Sequence, residues 1–516
     1  MDAPALLQRF GAAKSRRSVW EAHWQECYDH ALPHGGGFGP AGSPGERKSD
    51  RLFDGTAADA VEQLAASLLA QLTPPWSRWF GLAPGPDLDD AERDAAAPVL
   101  EKAAITLQSH FDRSNFAVEM HQCYLDLVTA GTACLLFEEA APGDYSGFRF
   151  TAVPLAEVVL EEGADGRLDG TFRRSELTLA QLRLRFPDAA VPDALEREAA
   201  RDPQARFAVV EAVLKDGPAY RYSVILDSGL AEAAVLAEGR FARSPFINFR
   251  WLKAPGETYG RSPVMKALPD IKTANKVVEL VLKNASIAVT GIWQADDDGV
   301  LNPGTIRLVP GTIIPKAVGS AGLTPLAAPG RFDVSQLVLD DLRRRIRHAL
   351  LVDRLGQVSD GRMTATEVLE RSAEMSRLLG ATYGRLQSEL LTPLMMRAVA
   401  ILRRRGEIPD VAVDGRTVEL QYRSPLAQAQ AQRDVQATLR WLEVAASLGK
   451  DAEAEALVTG LLGTAASERT PEPVRDRAVM ETAATLWHKR TTKLGVIGIG
   501  DTDVQPVRAA RDPQRG

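Results

Sequence analysis

The chain has 516 residues, of which 45% are hydrophobic and 25% charged, and its formal net charge is −7. This length allows a large buried core and about three domains, and the composition excludes a largely disordered protein. The acidic balance also excludes a protein coated in positive charge, so any contact with nucleic acid must be local.

Cysteine content and apolar patterning narrow the class further. Cys27, Cys123 and Cys134 are too few, and odd in number, for a disulfide framework, and they fit synthesis in a reducing cytoplasm. The first residues lack the pattern of a signal peptide, and no run approaches the roughly 20 apolar residues of a membrane span. We therefore expect no membrane partner.

The first 262 residues predict a mixture of helices and short strands. An N-terminal helix is expected over residues 4–32, where an irregular aromatic stripe includes Val19, Trp20 and Trp24 and a proline follows. Further helices are predicted after Asp54, over 90–112, over 116–130 and around 178–186. Short apolar runs between turn residues predict strands at Cys134–Phe137, Phe148–Val153, Phe207–Leu214, Tyr220–Leu226 and Phe246–Trp251.

The second half predicts mostly helix. One helix is expected over 263–289, with Pro269 as the place where it would break. A segment rich in Gly and Pro follows over 290–332, then a helix over 333–352 and a loop over 353–363.

A long helix is expected after this loop. Thr364 and Glu367 have the spacing of a capping box, and the helix would extend to about residue 405. Bending would cost least at the residues that we predict as a hinge: Gly380, Gly384 and Pro393. A final helical block is predicted over 425–490 and an irregular tail over 491–516.

Six short blocks, in order between about residues 50 and 410, resemble the head-to-tail connector, or portal, proteins of short-tailed bacteriophages (podoviruses). They are Leu52-Phe-Asp-Gly-Thr-Ala57, Trp76-Ser-Arg-Trp-Phe80, Tyr259-Gly-Arg-Ser-Pro263, Ala267-Leu-Pro-Asp-Ile-Lys272, Met363-Thr-Ala-Thr-Glu-Val368 and Leu386-Gln-Ser-Glu-Leu-Leu-Thr-Pro393. Each block is short, and it is their common order that makes the resemblance specific.

The resemblance implies an α+β, mostly α protein that forms a ring, usually of twelve subunits, around a channel. The implied regions are the wing (1–262), two stem helices (263–289 and 333–352) with the clip between them (290–332), the tunnel loop (353–363), the long kinked wing helix and return strand (364–424), the crown (425–490) and the C-terminal tail (491–516). Such a protein is not an enzyme. It stands at the portal vertex of the virion after assembly in the host cytoplasm.

The resemblance also implies partners. Double-stranded DNA would pass through the channel without sequence-specific contacts. The ring would meet the terminase large subunit, then a tail adaptor protein, and the capsid and scaffolding proteins during assembly. Another ring-forming phage connector or adaptor protein is the alternative.

Two predicted helices carry charges suited to the channel. Over 271–288, three lysines and Glu279 fall within about 60° of one another, and on the partner helix the i,i+4 spacing predicts the pairs Asp340–Arg344 and Asp341–Arg345. Solvated faces or salt bridges to a neighbouring subunit are the other interpretation. The candidate DNA contacts, two of them in the tunnel loop, are Lys272, Lys276, Lys283, Arg344, Arg347, Arg354 and Arg362.

The predicted clip contains an acidic run. This run, with a nearby arginine, is a candidate docking surface for the terminase or the adaptor: Asp296, Asp297, Asp298 and Arg307. An exposed turn is the simpler interpretation, and the run lacks the alternating ligands and final glutamate of a calcium-binding loop.

Signals typical of enzymes are weak. His23, Cys27, His30 and His34 are spaced as zinc ligands on one helical face, which leaves a metal-dependent hydrolase as a further alternative. However, Pro33 breaks the helix before His34, and helix packing is the preferred interpretation. The Gly-x-Gly-x-x-Gly pattern that begins at Gly37 follows a helix and not a strand, so it predicts a loop. No phosphate-binding loop is present. We predict no catalytic residue, metal or cofactor.

Overall fold

The computed structural model describes residues 2–33, 35, 37–38, 50–75, 77–227, 234–290, 293–295, 323–325, 332–352, 380, 382–409, 413 and 415–423. These residues all belong to the first of the two compact units of the chain, Met1–Arg433. The predicted tunnel loop (353–363), crown (425–490) and tail (491–516) lie outside them, as does the capping box at Thr364.

The described chain mixes helices and sheets, which confirms the α+β class. The helices are α1 (Ala3–Ala31), α2 (Thr56–Leu72), α3 (Asp90–Arg113), α4 (Phe116–Ala130), α5 (Leu179–Arg185), α6 (Asp193–Arg201), α7 (Pro263–Thr290), α8 (Phe332–Ala349) and α9 (Thr392–Arg404). The strands are β1 (Phe80–Pro84), β2 (Thr132–Glu139), β3 (Phe148–Val153), β4 (Val158–Glu162), β5 (Leu168–Thr178), β6 (Arg206–Asp216), β7 (Ala219–Leu226), β8 (Val235–Phe241), β9 (Phe246–Arg250), β10 (Trp293–Ala295), β11 (Leu323–Pro325) and β12 (Val418–Tyr422). A π-helical turn, Gln387–Leu391, precedes α9.

The larger sheets are antiparallel. One has the order β4-β5-β6-β7-β8, so each strand pairs with its neighbour in sequence, and the other has the order β3-β2-β9. Two further antiparallel pairs are β10 with β11 and β1 with β12. In the last pair Phe80 lies opposite Tyr422, which joins two segments far apart in the chain.

Helix α1 serves two hydrophobic cores. Its first half places Leu6 and Phe10 on the five-stranded sheet, while Trp24 and Tyr28 pack in the main core with α2, α4 and the three-stranded sheet. Val19, which the predicted aromatic stripe includes, is 82% exposed. The stripe is irregular because the helix changes its packing partner halfway along.

The predicted break at Pro269 is wrong, because α7 continues through it. Ala267, Leu268 and Ile271 are buried on either side of the proline, and their packing holds the helix together across the missing hydrogen bond.

The zinc interpretation gains no support from the geometry. Cys27 is buried in the main core, whereas His23, one turn earlier in α1, is exposed. Among the residues that the structure describes, no three His, Cys, Asp or Glu side chains form a group that could hold a metal; His34 lies outside them. None of the described helices combines the length and apolarity that crossing a membrane requires.

Two glycines meet where the chain enters α7. Gly131 ends α4 in a left-handed conformation (φ +80°). A Cβ built on Gly260 would lie 2.1 Å from the carbonyl oxygen of Gly131. In the same Tyr259–Pro263 block, Arg261 forms an antiparallel β-bridge with Leu252. The Ser262 hydroxyl accepts a hydrogen bond from the N–H of Met265 in the first turn of α7. Close backbone contact therefore sets where α7 begins.

We expect Gly260→Ala to destabilise the chain by about 3 kcal/mol, because the methyl group cannot fit without moving backbone. Gly11→Ala is the matched control, since a Cβ there has nothing within 4 Å and alanine favours the helix by about 1 kcal/mol. Denaturant unfolding measures both, and equal destabilisation of the two variants would contradict the close approach of the two backbones.

A second prediction concerns pH. Asp126 is buried on α4, where its carboxylate accepts the hydroxyl of Tyr28 on α1 at 2.9 Å. Burial raises the pKa of Asp126 to about 7, although the Tyr28 hydrogen bond opposes this rise. A raised folded-state pKa stabilises the fold at low pH, and this contribution disappears as pH rises through 7.

We therefore expect the wild-type chain to lose on the order of 4 kcal/mol between pH 4 and pH 8 relative to Asp126→Asn, as three pKa units at 1.36 kcal/mol each predict. Asparagine keeps the acceptor for Tyr28 and does not titrate. Thermal unfolding across this pH range measures the difference, and parallel profiles for the two proteins would show that Asp126 ionises normally.

Candidate functional site

The predicted channel charges lie on α7 and α8, which pack against each other. Asp270 on α7 pairs with Arg345 on α8 at 2.8 Å. Further along α7, Asn275 binds the same short segment as Arg343, an earlier residue of α8. Asn275 is later in α7 than Asp270, and Arg343 is earlier in α8 than Arg345. The two helices are therefore antiparallel.

The segment that both helices bind belongs to the Leu52–Ala57 block. The Asn275 side-chain oxygen accepts the N–H groups of Phe53 (2.6 Å) and Asp54 (3.1 Å). Asp54 in turn pairs with Arg343 at 2.8 Å and accepts the N–H of Thr56. Burial opposes ionisation of Asp54, but the Thr56 and Arg343 contacts outweigh it and lower the pKa. This block therefore anchors the helix pair at the start of α2.

The lysine stripe on α7 exists, and its lysines pair with carboxylates. Lys272 reaches Glu26 on α1 at 3.2 Å. Glu279 accepts both Lys276 at 2.9 Å and Lys283 at 2.5 Å, and these hydrogen bonds lower the pKa of Glu279. Lys276 and Lys283 remain more than 60% exposed. Two lysines share one carboxylate, so this turn of an acidic chain keeps a net positive charge.

The predicted i,i+4 pairs on α8 are wrong. Arg344 pairs with Asp341 at i,i+3 (3.2 Å), and Arg345 pairs with Asp270 on α7. The tertiary contact gives Arg345 a carboxylate on the facing helix, which leaves Asp341 to Arg344. Arg347 is exposed and forms no ion pair with any residue that the structure describes.

The remaining candidates divide into two groups. Six of them lie outside the described residues: Arg354, Arg362, Asp296, Asp297, Asp298 and Arg307. The hinge candidates are described. A Cβ at Gly380 or Gly384 has nothing within 4 Å among the described residues, and Pro393 lies in the first turn of α9, directly after the π-helical turn. Their role as a hinge stays a prediction.

One buried ion pair, between Arg250 and Glu389, is not predicted by any sequence pattern. Arg250, at the end of β9, is fully buried and donates its Nη2 to Glu389 at 2.6 Å. The backbone N–H of Arg250 also donates to Glu389 (3.0 Å), and its Nη1 donates to the carbonyl of Thr258 (3.0 Å). An arginine at the end of an apolar strand is the one signal that could have pointed to this site.

The amino-acid sequence of the chain matches a known protein family. A family model for the bacteriophage head to tail connecting protein matches residues 3–459. The chain therefore belongs to this family of head-to-tail connectors, which confirms the resemblance seen in the six sequence blocks.

The individual relatives are portal proteins of phages. The probable portal protein of Bordetella phage BPP-1 is 26% identical over 458 residues, covering 82% of this chain and 79% of that protein. The portal protein of Salmonella phage epsilon15 is 25% identical over 460 residues with the same coverage of each. That of Escherichia phage T7 is 21% identical over 414 residues, covering 77% and 74%.

Solved structures are also similar to the chain. The neck of an empty gene transfer agent particle, computed with C6 symmetry, has 14% identity and a TM-score of 0.38, covering 80% of this chain and 94% of that one. The virion of a native gene transfer agent particle gives 13% identity and a TM-score of 0.36, covering 78% and 89%. Family membership rests on the sequence matches, and the expected role as a head-to-tail connector is confirmed by them.

Proposed function

We propose that the chain is one subunit of a ring at the portal vertex of a virion, through which double-stranded DNA enters and leaves the capsid. The family match over residues 3–459 carries this proposal, and the relatives named portal proteins support it. The chain acts as a structural protein and not as an enzyme. The terminase large subunit, a tail adaptor, and the capsid and scaffolding proteins are its proposed partners.

In this ring α7 and α8 are the stem helices. The wing comprises α1–α6 and β1–β9, and the clip, which contains β10 and β11, joins the ends of the stem. Helix α9, with the π-helical turn before it, belongs to the kinked wing helix. The observation behind this assignment is the length of α7, whose 28 residues extend well beyond the part that packs on α1 and α2.

The net negative charge of the proposed ring suits a channel through which DNA passes. Twelve copies at −7 each carry about −84 formal charges, so a duplex is repelled overall and does not adhere to the walls. The exposed cations Lys276, Lys283, Arg344 and Arg347 would centre the duplex by local contacts with phosphates. Lys272 is the weakest of the three lysines because it is the least exposed (47%) and has Glu26 to itself, whereas Lys276 and Lys283 share one carboxylate.

We expect the purified chain to form a particle of about 670 kDa, which is twelve subunits of 55.8 kDa, with a central hole. Light scattering measures the mass, and negative-stain images show whether a bore of about 20 Å or more runs through the ring. A ring without a continuous bore would favour the alternative, another phage connector or adaptor protein. A monomer at every concentration would contradict both.

We expect charge changes on α7 to alter the salt dependence of DNA binding. Replacing Lys276 and Lys283 with Gln should flatten the slope of log Kobs against log salt by about 0.9 for each phosphate that the variant no longer neutralises, whereas Glu279→Gln should strengthen binding.

The control for this experiment removes two exposed lysines elsewhere, Lys14 and Lys102, and so makes the same change in net charge. Assembled rings of each variant are titrated with duplex DNA between 50 and 200 mM salt. If the control and the α7 variant change the slope equally, α7 does not contact the DNA.

A further inference from the structure

A cavity lies between the first turns of α1 and the strands β6 and β7. Its volume is about 300 Å³, and the residues that line it include Leu6, Arg9, Leu214, Asp216, Arg221 and Ser223. A water molecule takes up about 30 Å³ in the liquid, so the cavity has room for a small organic molecule. None of these residues belongs to α7 or α8, which carry the proposed DNA contacts.

The side chains of β7 bring polar groups into this cavity. Ile225 packs with Leu6 and Phe10 in the core between α1 and the five-stranded sheet. Side chains alternate along a strand, and β7 pairs with β6 without a register shift. Ser223 and Arg221 therefore lie on the same face as Ile225, where the apolar core gives way to the cavity.

The hydroxyl group of Ser223 lacks a hydrogen-bond partner. The residue is 1% exposed, and its Oγ forms no hydrogen bond with any residue that the structure describes. A buried hydroxyl without a hydrogen bond destabilises the fold. A ligand in the cavity with an acceptor oxygen would remove this cost.

Arg221 is a half-buried cation without a carboxylate partner. It forms no ion pair with any residue in the described ranges. The strand pairing places it directly opposite Arg240 on β8, and like charges in that arrangement destabilise a sheet. Asp216, which also lines the cavity, pairs with Arg240 at 2.6 Å and not with Arg221. The positive charge of Arg221 is therefore available to a ligand.

Arg9 supplies further donors from α1. Its Nε donates to Glu161 at 2.6 Å, which leaves the two terminal nitrogens of the guanidinium group. Glu161 also accepts Nη2 of Arg16 at 3.1 Å, so one carboxylate serves two arginines. Glu238, opposite Ser223 on β8, is exposed to solvent, which screens its charge. The nearby carboxylates thus leave the two guanidinium groups of the cavity only partly neutralised.

We propose that this cavity binds a small phosphate ester. The phosphate oxygens accept hydrogen bonds from Arg221, Arg9 and Ser223, and the organic part lies against Leu6 and Leu214. Guanidinium groups bind phosphate through two parallel N–H groups. The three donors come from different directions, and a phosphate offers more acceptor oxygens than a carboxylate does. This site goes beyond the proposed function and does not depend on the ring.

Isothermal titration calorimetry of the full-length chain tests the proposal, with inorganic phosphate, propyl phosphate and butyrate as probes at equal ionic strength. Propyl phosphate should bind most tightly, because its carbons reach Leu6 and Leu214. Arg221→Gln should weaken the binding of propyl phosphate roughly tenfold, since a hydrogen-bonded charge is lost. Asp216→Asn should strengthen it, because a carboxylate that lines the cavity is removed.

Arg206→Gln is the matched control. It removes the same charge from the same face of β6, but Arg206 is exposed and lies about 20 Å along the strand from Ala212. The affinity for propyl phosphate should stay unchanged. Ser223→Ala gives a second measurement: it should weaken binding roughly fivefold without lowering the unfolding temperature, since the lost hydroxyl has no partner among the described residues.

Four outcomes would overturn the site. Equal weakening by Arg221→Gln and Arg206→Gln would show a general response to charge. Butyrate that binds as tightly as propyl phosphate would make the ligand a carboxylate. A short DNA duplex that displaces propyl phosphate would assign the phosphate to a nucleic-acid backbone. Absence of binding by all probes would leave the cavity to water. None of these results would bear on the proposed ring.

Discussion

The carboxylate of Asp54 connects the helix pair α7–α8 to the rest of the molecule. It pairs with Arg343 of α8, and the backbone N–H beside it is bound by Asn275 of α7. The glycine contact between Gly131 and Gly260 sets the start of α7 a few turns earlier. The glycine contact fixes the start of α7, and the contacts at Asp54 fix α7 and α8 near Asn275 and Arg343. The exposed parts of the two helices therefore stand in a defined position. The surface that we propose for contact with DNA depends on that position.

The charges of the helix pair divide into two kinds. Arg343 and Arg345 reach carboxylates on other elements, Asp54 and Asp270, and serve the fold. Lys276 and Lys283 share Glu279 on their own helix and stay exposed. Exposed pairs of this kind contribute little to stability. Their placement on a protruding helix is therefore better explained by what approaches the helix than by the fold.

Sequence reasoning worked best where one pattern determines one element. The predicted helices over 90–112, 116–130 and 263–289 correspond to α3, α4 and α7, because each has an apolar stripe and a clear start or end signal. Strand β5 was missed, since Arg173, Arg174 and Glu176 interrupt its apolar pattern. Those charges are satisfied by tertiary partners: Arg173, for example, binds Glu157 at 2.9 Å.

The functional residues show the same limit. The lysine stripe was predicted because its members lie on a single helix, where spacing fixes the relative positions. The i,i+4 pairs on α8 were wrong because Arg345 found Asp270 on another helix. Arg250 and Glu389 were missed as a pair because 139 residues separate them. No local pattern reports a contact of that kind.

The pairing of β1 with β12 has a consequence for synthesis. Strand β1 leaves the ribosome early, yet Phe80 has no strand partner until Tyr422 has been translated. Closing so long a segment is slow, since non-local pairing carries a large entropic cost before any contact forms. A chain truncated before residue 418 would leave β1 without the strand that it pairs with among the described residues. Folding of the subunit can therefore finish only when translation is nearly complete. Chains that end early expose β1 as an unpaired strand.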